Sequence, residues 1–184
     1  MKANFEQLKI ISDMINSGYE QKAREELIKL LEYEEKPYSK LLNHLLREVG
    51  LYPYIEYESS SWYDKIICEL YKTDIGAGDI KVLHREQGAV LRELLSGNDV
   101  VLSAPTSFGK SFIIDALIAA HEPNIVVIIV PTIALMDEAR RRLTNKFSKN
   151  YKIITTPEEE ITEKVILIFP TRTFVFILAE IRPH

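Results

Sequence analysis

The stretch VVLSAPTSFGKSFII, Val100 to Ile114, constrains the fold more than any other part of the sequence. A short apolar run enters an eight-residue loop ending in Gly-Lys-Ser, and an amphipathic helical pattern leaves it. An apolar strand followed by a helix needs neighbouring strands to pair with and a sheet face for the helix to cover. The loop has Ala104, then Pro105, Thr106, Ser107 and Phe108, then Gly109, Lys110 and Ser111. It matches the Walker A spacing with alanine in place of the first glycine. The chemistry explains the residue types. Backbone N–H groups and the positive end of the next helix receive phosphate oxygens. Lys110 brings a cation to the β- and γ-phosphates, the Ser111 hydroxyl completes a Mg2+ shell, and Gly109 lets the backbone close around the phosphate.

The region around the loop alternates helix and buried strand. REQGAVLRELLSG is an amphipathic helix closed by Gly97. DVVLS is a short apolar strand, SFIIDALIAAHE a helix, and NIVVIIV a β-branched run suited to a parallel strand covered on both faces. TIALMDEARRRLTNKF predicts a helix, YKIITT and KVILIF predict strands, and TFVFILAEI predicts a helix. The expected class is α/β: an incomplete P-loop parallel sheet preceded by an all-α amino-terminal region, with domains at 1–78 and 79–184.

In that amino-terminal region, FEQLKIISDMI, YEQKAREELIKLLEY and YSKLLNHLLREV predict three short antiparallel helices, broken at Gly18 and stopped at Gly50. LYPYIEYESSSW is a connector, WYDKIICELYK another helix, and TDIGAGD a turn. Residues 1–80 carry 10 basic and 15 acidic side chains, against 13 and 12 in residues 81–184. The acidic part is unsuited to tracking a phosphate backbone. It suits contact with a protein partner better. The single cysteine, Cys68, excludes an internal disulfide framework and a cysteine metal cluster. The longest apolar runs fall far short of the roughly 20 residues of a membrane span, and the amino terminus makes a poor signal peptide. These features lead to an expectation of a cytoplasmic protein with no membrane contact. The four histidines show no metal-ligand spacing.

APTSFGKS, together with its flanks, resembles motif I of the superfamily 2 nucleic-acid helicases, which include the DEAD- and DEAH-box proteins. Phe108 departs from the small residue usual at its place. In HREQGAVLRELLSGNDVVLS, Gln87 stands 23 residues before Lys110. The resemblance implies that this glutamine reads the adenine edge of ATP, since a side-chain amide offers the donor and acceptor that adenine N6 and N7 require. IIVPTIALMDEARRRL is similar to motif Ia, which implies that Pro131, Thr132 and adjoining amides hold a nucleic-acid phosphate. Such contacts position a strand without reading its sequence. ILIFPTRTFVFIL looks like a degenerate Thr-Pro-x-Arg segment, implying backbone contacts from Thr171 and Arg172, although Pro170 precedes the threonine here instead of following it.

The tetrad DEAR at 137–140 is one letter from the box that names the family. A Walker B acid pair belongs at the end of a buried strand, whereas this one falls inside a helical pattern. Solvated helix charges, with Asp137 pairing Arg141, are the expectation. Arg140, Arg141, Arg142, Lys146, Lys149 and Lys152 could line a nucleic-acid groove, but three consecutive arginines fan around a helix, and a solvated helix end is the expectation. The resemblance covers about residues 81–180, without the family's Walker B box or second RecA-like domain. The expected function is therefore the amino-terminal portion of an ATP-dependent helicase or translocase, ended by truncation or a frameshift. It would bind ATP, Mg2+ and DNA or RNA, as single strand or duplex end, without hydrolysing ATP alone. A different P-loop protein such as a small kinase, and a helical interaction module with a remnant loop, remain open alternatives.

Overall fold

The computed structural model describes residues 5–156, 159, 164–170 and 177–179. The chain divides into two compact units: Met1–Thr73 with Lys81–Ala89, and Asp74–Ile80 with Val90–His184.

The first unit is built from helices α1 (Phe5–Asn16), α2 (Glu20–Leu31), α3 (Lys40–Glu48) and α4 (Trp62–Leu70). Apolar residues three and four apart place Leu8, Ile11, Ala23, Leu27, Leu42, Leu45 and Leu46 in one core. The segment read as a connector belongs to this core. Residues Tyr52–Tyr54 form a 3-10 turn, and Leu51, Tyr52 and Ile55 are buried. The starts of α3 and α4 are closed by side chains, whereas α2 has no side-chain cap. Ser39 Oγ accepts from the Leu42 amide, and Ser61 with Asp64 forms a reciprocal capping box. Asp64 is buried, and Arg47 Nε stands 3.0 Å from its carboxylate.

Helix α5 (Arg85–Leu95) begins in this unit and continues into the other. Its first turn is held by ion pairs and carbonyl contacts. Arg24 reaches Glu86 at 2.5 Å and the Val49 carbonyl at 2.7 Å, while Arg85 pairs with Glu20 and donates to the Glu48 carbonyl. Strands β1 (Lys72–Asp74) and β2 (Ile80–Val82) form a two-stranded ribbon around the expected turn.

The second unit holds a four-stranded sheet in the order β4 (Lys152–Ile154), β5 (Val165–Pro170), β3 (Ile125–Val130), β6 (Ile177–Ala179). β3, β4 and β5 run parallel, with Ile125 opposite Val165 and Lys152 also opposite Val165. Their β-branched side chains pack with Leu143 and Phe147 of α7 (Ile133–Phe147) and Ile118 of α6 (Lys110–His121). Gly76 is part of the same packing. A Cβ there would lie 2.6 Å from the Phe147 ring, at a φ of +100°.

Two expectations fail here. Residues 98–105 form no strand, and Val101 is fully exposed. An apolar sequence supplies only the propensity for a strand, and the ladder needs a neighbour aligned to receive it. The segment TFVFILAEI, read as a helix, contributes β6 instead, antiparallel to β3 with Val127 opposite Leu178. A short apolar run of aromatic and branched residues satisfies either period, and here the open edge of β3 decides. The result is an incomplete RecA-like α/β sheet after a helical amino-terminal region.

Candidate functional site

Between Pro105 and Lys110 the chain makes one 3-10 turn, Thr106–Phe108, and then reverses through Gly109 at φ +79°. That left-handed conformation is strained for any residue with a Cβ, which explains glycine there. Helix α6 starts immediately, with no side chain capping it. Among the described residues, the amides of Gly109, Lys110 and Ser111 have no backbone or side-chain acceptor. Thr106, Ser107 and Ser111 are exposed, Ala104 and Phe108 half-buried. The Lys110 ammonium folds back on its own loop, donating to the carbonyls of Ala104 at 2.6 Å and Pro105 at 2.8 Å. Unsatisfied amides, a cation and exposed hydroxyls at a helix start form a donor set that fits a Mg2+–polyphosphate.

Gln87 lies in the first unit, at the third position of α5. It is buried, not an exposed helix glutamine, and its Oε1 accepts from the His84 amide at 2.9 Å. This is one half of a capping box, and it fixes the side chain at the start of α5. His84 itself packs on the Tyr54 ring, 5.7 Å between centroids. Burial pushes its pKa below the usual histidine value, assisted by Arg24 and opposed by a hydrogen bond donated to the Gly50 backbone carbonyl and by Glu86.

Thr132 ends the turn after β3 and caps α7, its Oγ1 accepting from the Leu135 amide at 3.2 Å. Pro131 and Thr132 are both exposed. Thr171 and Arg172 lie outside the described residues. Asp137 and Glu138 fall inside α7, away from any strand end. The Asp137 carboxylate pairs with Arg140 at 3.6 Å, and Arg141 bonds the Asp137 carbonyl, so the expected carboxylate pairing with Arg141 is replaced. On a helix, residues three apart are as close as residues four apart.

The largest departure from a solvated basic helix end is at Arg142 and Lys146. Both turn onto Asp115 of α6, which is 1% exposed. Arg142 Nη1 reaches Oδ1 at 2.6 Å and Lys146 Nζ reaches Oδ2 at 2.9 Å. The same Arg142 nitrogen donates to the Ser111 carbonyl at 3.0 Å. A sequence signal was available, because Asp115 is the one charged residue between Lys110 and His121 in an otherwise apolar helix. A polar hollow of about 880 Å³, lined by Asn124, Ser148–Lys152 and Lys164, sits where β3, β4 and β5 begin. Its lysines are partly neutralised, Lys164 by Glu122 and Lys152 by Glu159. Ligands of such sheets gather at the carboxyl ends of the strands, and this hollow lies at the opposite, amino ends.

Comparison with known proteins decides the family. The DEAD/DEAH box helicase profile matches residues 84–177, just over half of the chain. The chain belongs to the DEAD/DEAH box helicases. The matched span of this helicase chain contains Gln87, the whole loop from Ala104 to Ser111, and Pro131–Thr132. Residues 1–65 match the Anti-bacteriophage protein B N-terminal domain. The chain is also 39% identical over 135 residues to Anti-bacteriophage protein B of Escherichia coli (strain K12), a match covering 71% of this chain and 18% of that protein. It thus spans less than a fifth of the relative's length. No solved structure matches. Among the described residues, no helix is long and apolar enough to cross a membrane.

Proposed function

We propose that this helicase chain binds Mg2+–ATP through residues 104–111, with Lys110 on the β- and γ-phosphates and Ser111 in the Mg2+ shell. The observation that carries the reading is the start of α6: unsatisfied amides behind a left-handed Gly109, beside a lysine that meets only loop carbonyls. Gln87, fixed by its bond to His84, reads adenine. Pro131 and Thr132 hold a nucleic-acid phosphate of DNA or RNA, and the sheet-end helix α7 points its positive end there. Family membership favours this over a metabolite kinase.

Catalysis by these residues alone is not part of the proposal. Hydrolysis needs an acid that holds Mg2+ and orients water. The Asp137–Glu138 pair is committed to α7, with Asp137 on Arg140. We further propose that the whole protein couples ATP to movement on nucleic acid in the cytoplasm, in a role against bacteriophage like that in the name of its relative, Anti-bacteriophage protein B.

Titration of a fluorescent ATP analogue into the 184-residue chain tests the reading. Lys110→Ala should weaken binding at least about tenfold, as expected when a charge-assisted contact is lost. Thr132→Ala should weaken a labelled oligonucleotide and leave the analogue unchanged. No saturable binding of the analogue by the unaltered chain would sink the proposal. Phosphate release by the chain alone, abolished by Lys110→Ala, would sink the claim that it does not hydrolyse ATP by itself.

A further inference from the structure

The buried Asp115 needs an explanation. An ion pair taken out of water is seldom more stabilising than apolar side chains of similar volume. The packing of α6 on α7 could be made with apolar side chains, as elsewhere in this core. What the ionic version adds is direction. Both carboxylate oxygens of Asp115 are engaged, one by Arg142 and one by Lys146. With the carboxylate anchored in this way, Arg142 Nη1 is placed to reach a second acceptor, the Ser111 carbonyl, one turn earlier on α6.

That carbonyl belongs to the residue whose hydroxyl is assigned to Mg2+. Its peptide lies in the first turn of α6, where the unsatisfied amides are. The triad also carries charge. Two cations and one anion leave one net positive charge beside the loop, half-buried and so less screened by salt than a surface lysine. Without Arg142 and Lys146, Asp115 would place a negative charge one turn from an incoming polyphosphate.

We propose that Arg142 is a positioning residue for the phosphate loop, acting through Ser111 and Asp115. It sits on α7, the helix capped by Thr132, and touches no nucleotide itself. This rests on the nucleotide reading above. If Arg142 acts this way, its loss is felt by the phosphates beyond the first and not by the nucleoside.

The test compares fluorescent analogues of ATP and AMP on the full 184-residue chain, with melting followed by circular dichroism. Arg142→Gln should raise the Kd of the ATP analogue about tenfold, through the loosened Ser111 peptide and the lost positive charge beside the loop. The AMP analogue should change by less than about twofold. Arg142→Lys keeps a cation for Asp115 but lacks the planar fork, and should raise the ATP-analogue Kd about threefold. Wild-type affinity in Arg142→Gln, or equal losses for the two analogues, would overturn the proposal. Should Arg142→Gln fail to fold, Arg142→Lys decides: a weaker ATP analogue at an unchanged melt supports the role, and wild-type affinity removes it. Failure of the unaltered chain to bind the ATP analogue would show before any variant is made. It would overturn the nucleotide reading, and this inference with it.

Discussion

In the helical unit, α4 opens with Ser61 and Asp64 each accepting the other's backbone N–H, at 3.2 and 3.1 Å, and α3 opens with Ser39 doing the same for Leu42. In the α/β unit, α6 opens on Gly109, which has no side chain to offer. The two units do not differ in their use of apolar cores. Leu27, Leu42 and Leu46 in one, and Leu143, Ile166 and Ile168 in the other, are equally shielded from water. They differ at the helix that follows the glycine loop, since α6 has no side-chain cap while α3 and α4 do, although α2 is uncapped too. An uncapped start forgoes about 1 kcal/mol that Ser, Thr, Asn or Asp would supply. A fold tolerates that where something else is to take the cap's place. On the proposed reading, the comparison sets helix starts closed for stability against one left open for a ligand.

The largest effects should be the same on both sides. Leu46→Ala in the helical unit and Leu143→Ala in the other, both at 0% exposure, should each cost about 2–5 kcal/mol in denaturant midpoints. A tolerated Leu143→Ala would mean that the α/β unit lacks a core of its own, and the comparison would break. Next come the caps. Ser61→Ala should cost about 1 kcal/mol, since it removes one side of the capping box. Smaller again is Lys110→Ala, which should move the melt by no more than about 0.5 kcal/mol, because the lysine bonds only two carbonyls of its own loop, one half-buried and one exposed. A large loss there would assign Lys110 a structural role and blur the contrast.

The smallest effect is a pH dependence confined to the helical side. His84 has its pKa lowered by burial, so the folded chain refuses a proton that the unfolded chain accepts below about 6.5. Stability should therefore rise with pH through the window from that lowered value to about 6.5, and fall on acidification. His84→Gln should flatten the slope. A melt already flat in the unaltered chain between pH 5 and 7 would show that His84 titrates as if exposed.

Much of this was legible in the sequence because the signals were local. The helices at 5–16, 20–31 and 40–48 follow apolar periods and glycine stops, and NIVVIIV and KVILIF are too branched to be anything but covered strands. The loop was readable because Gly-Lys-Ser has few other uses after an apolar run. What failed depended on partners far along the chain. VVLS has the composition of a strand, but whether it pairs is decided by an edge elsewhere. The residues at 177–179 became a strand because β3 had an open side. Arg142 and Lys146 looked like a solvated helix end because their partner, Asp115, lies 27 and 31 residues earlier, on a different helix. Gln87 was assigned toward a ligand from resemblance, although its place three residues after His84 at a helix start has the spacing of a capping-box bond.

The Lys110 ammonium grips two carbonyls of its own loop. In chemical terms the two carbonyls are internal counter-ligands of the loop's own cation, and on the proposed reading a triphosphate would have to displace them before gaining the lysine, though not before meeting the free amides. The affinity measured for a nucleotide is then an exchange constant between two sets of oxygens. A shorter anion that leaves the lysine in place gives up most of the advantage of the site. On the proposed reading, the loop would thereby discriminate by chain length of phosphate.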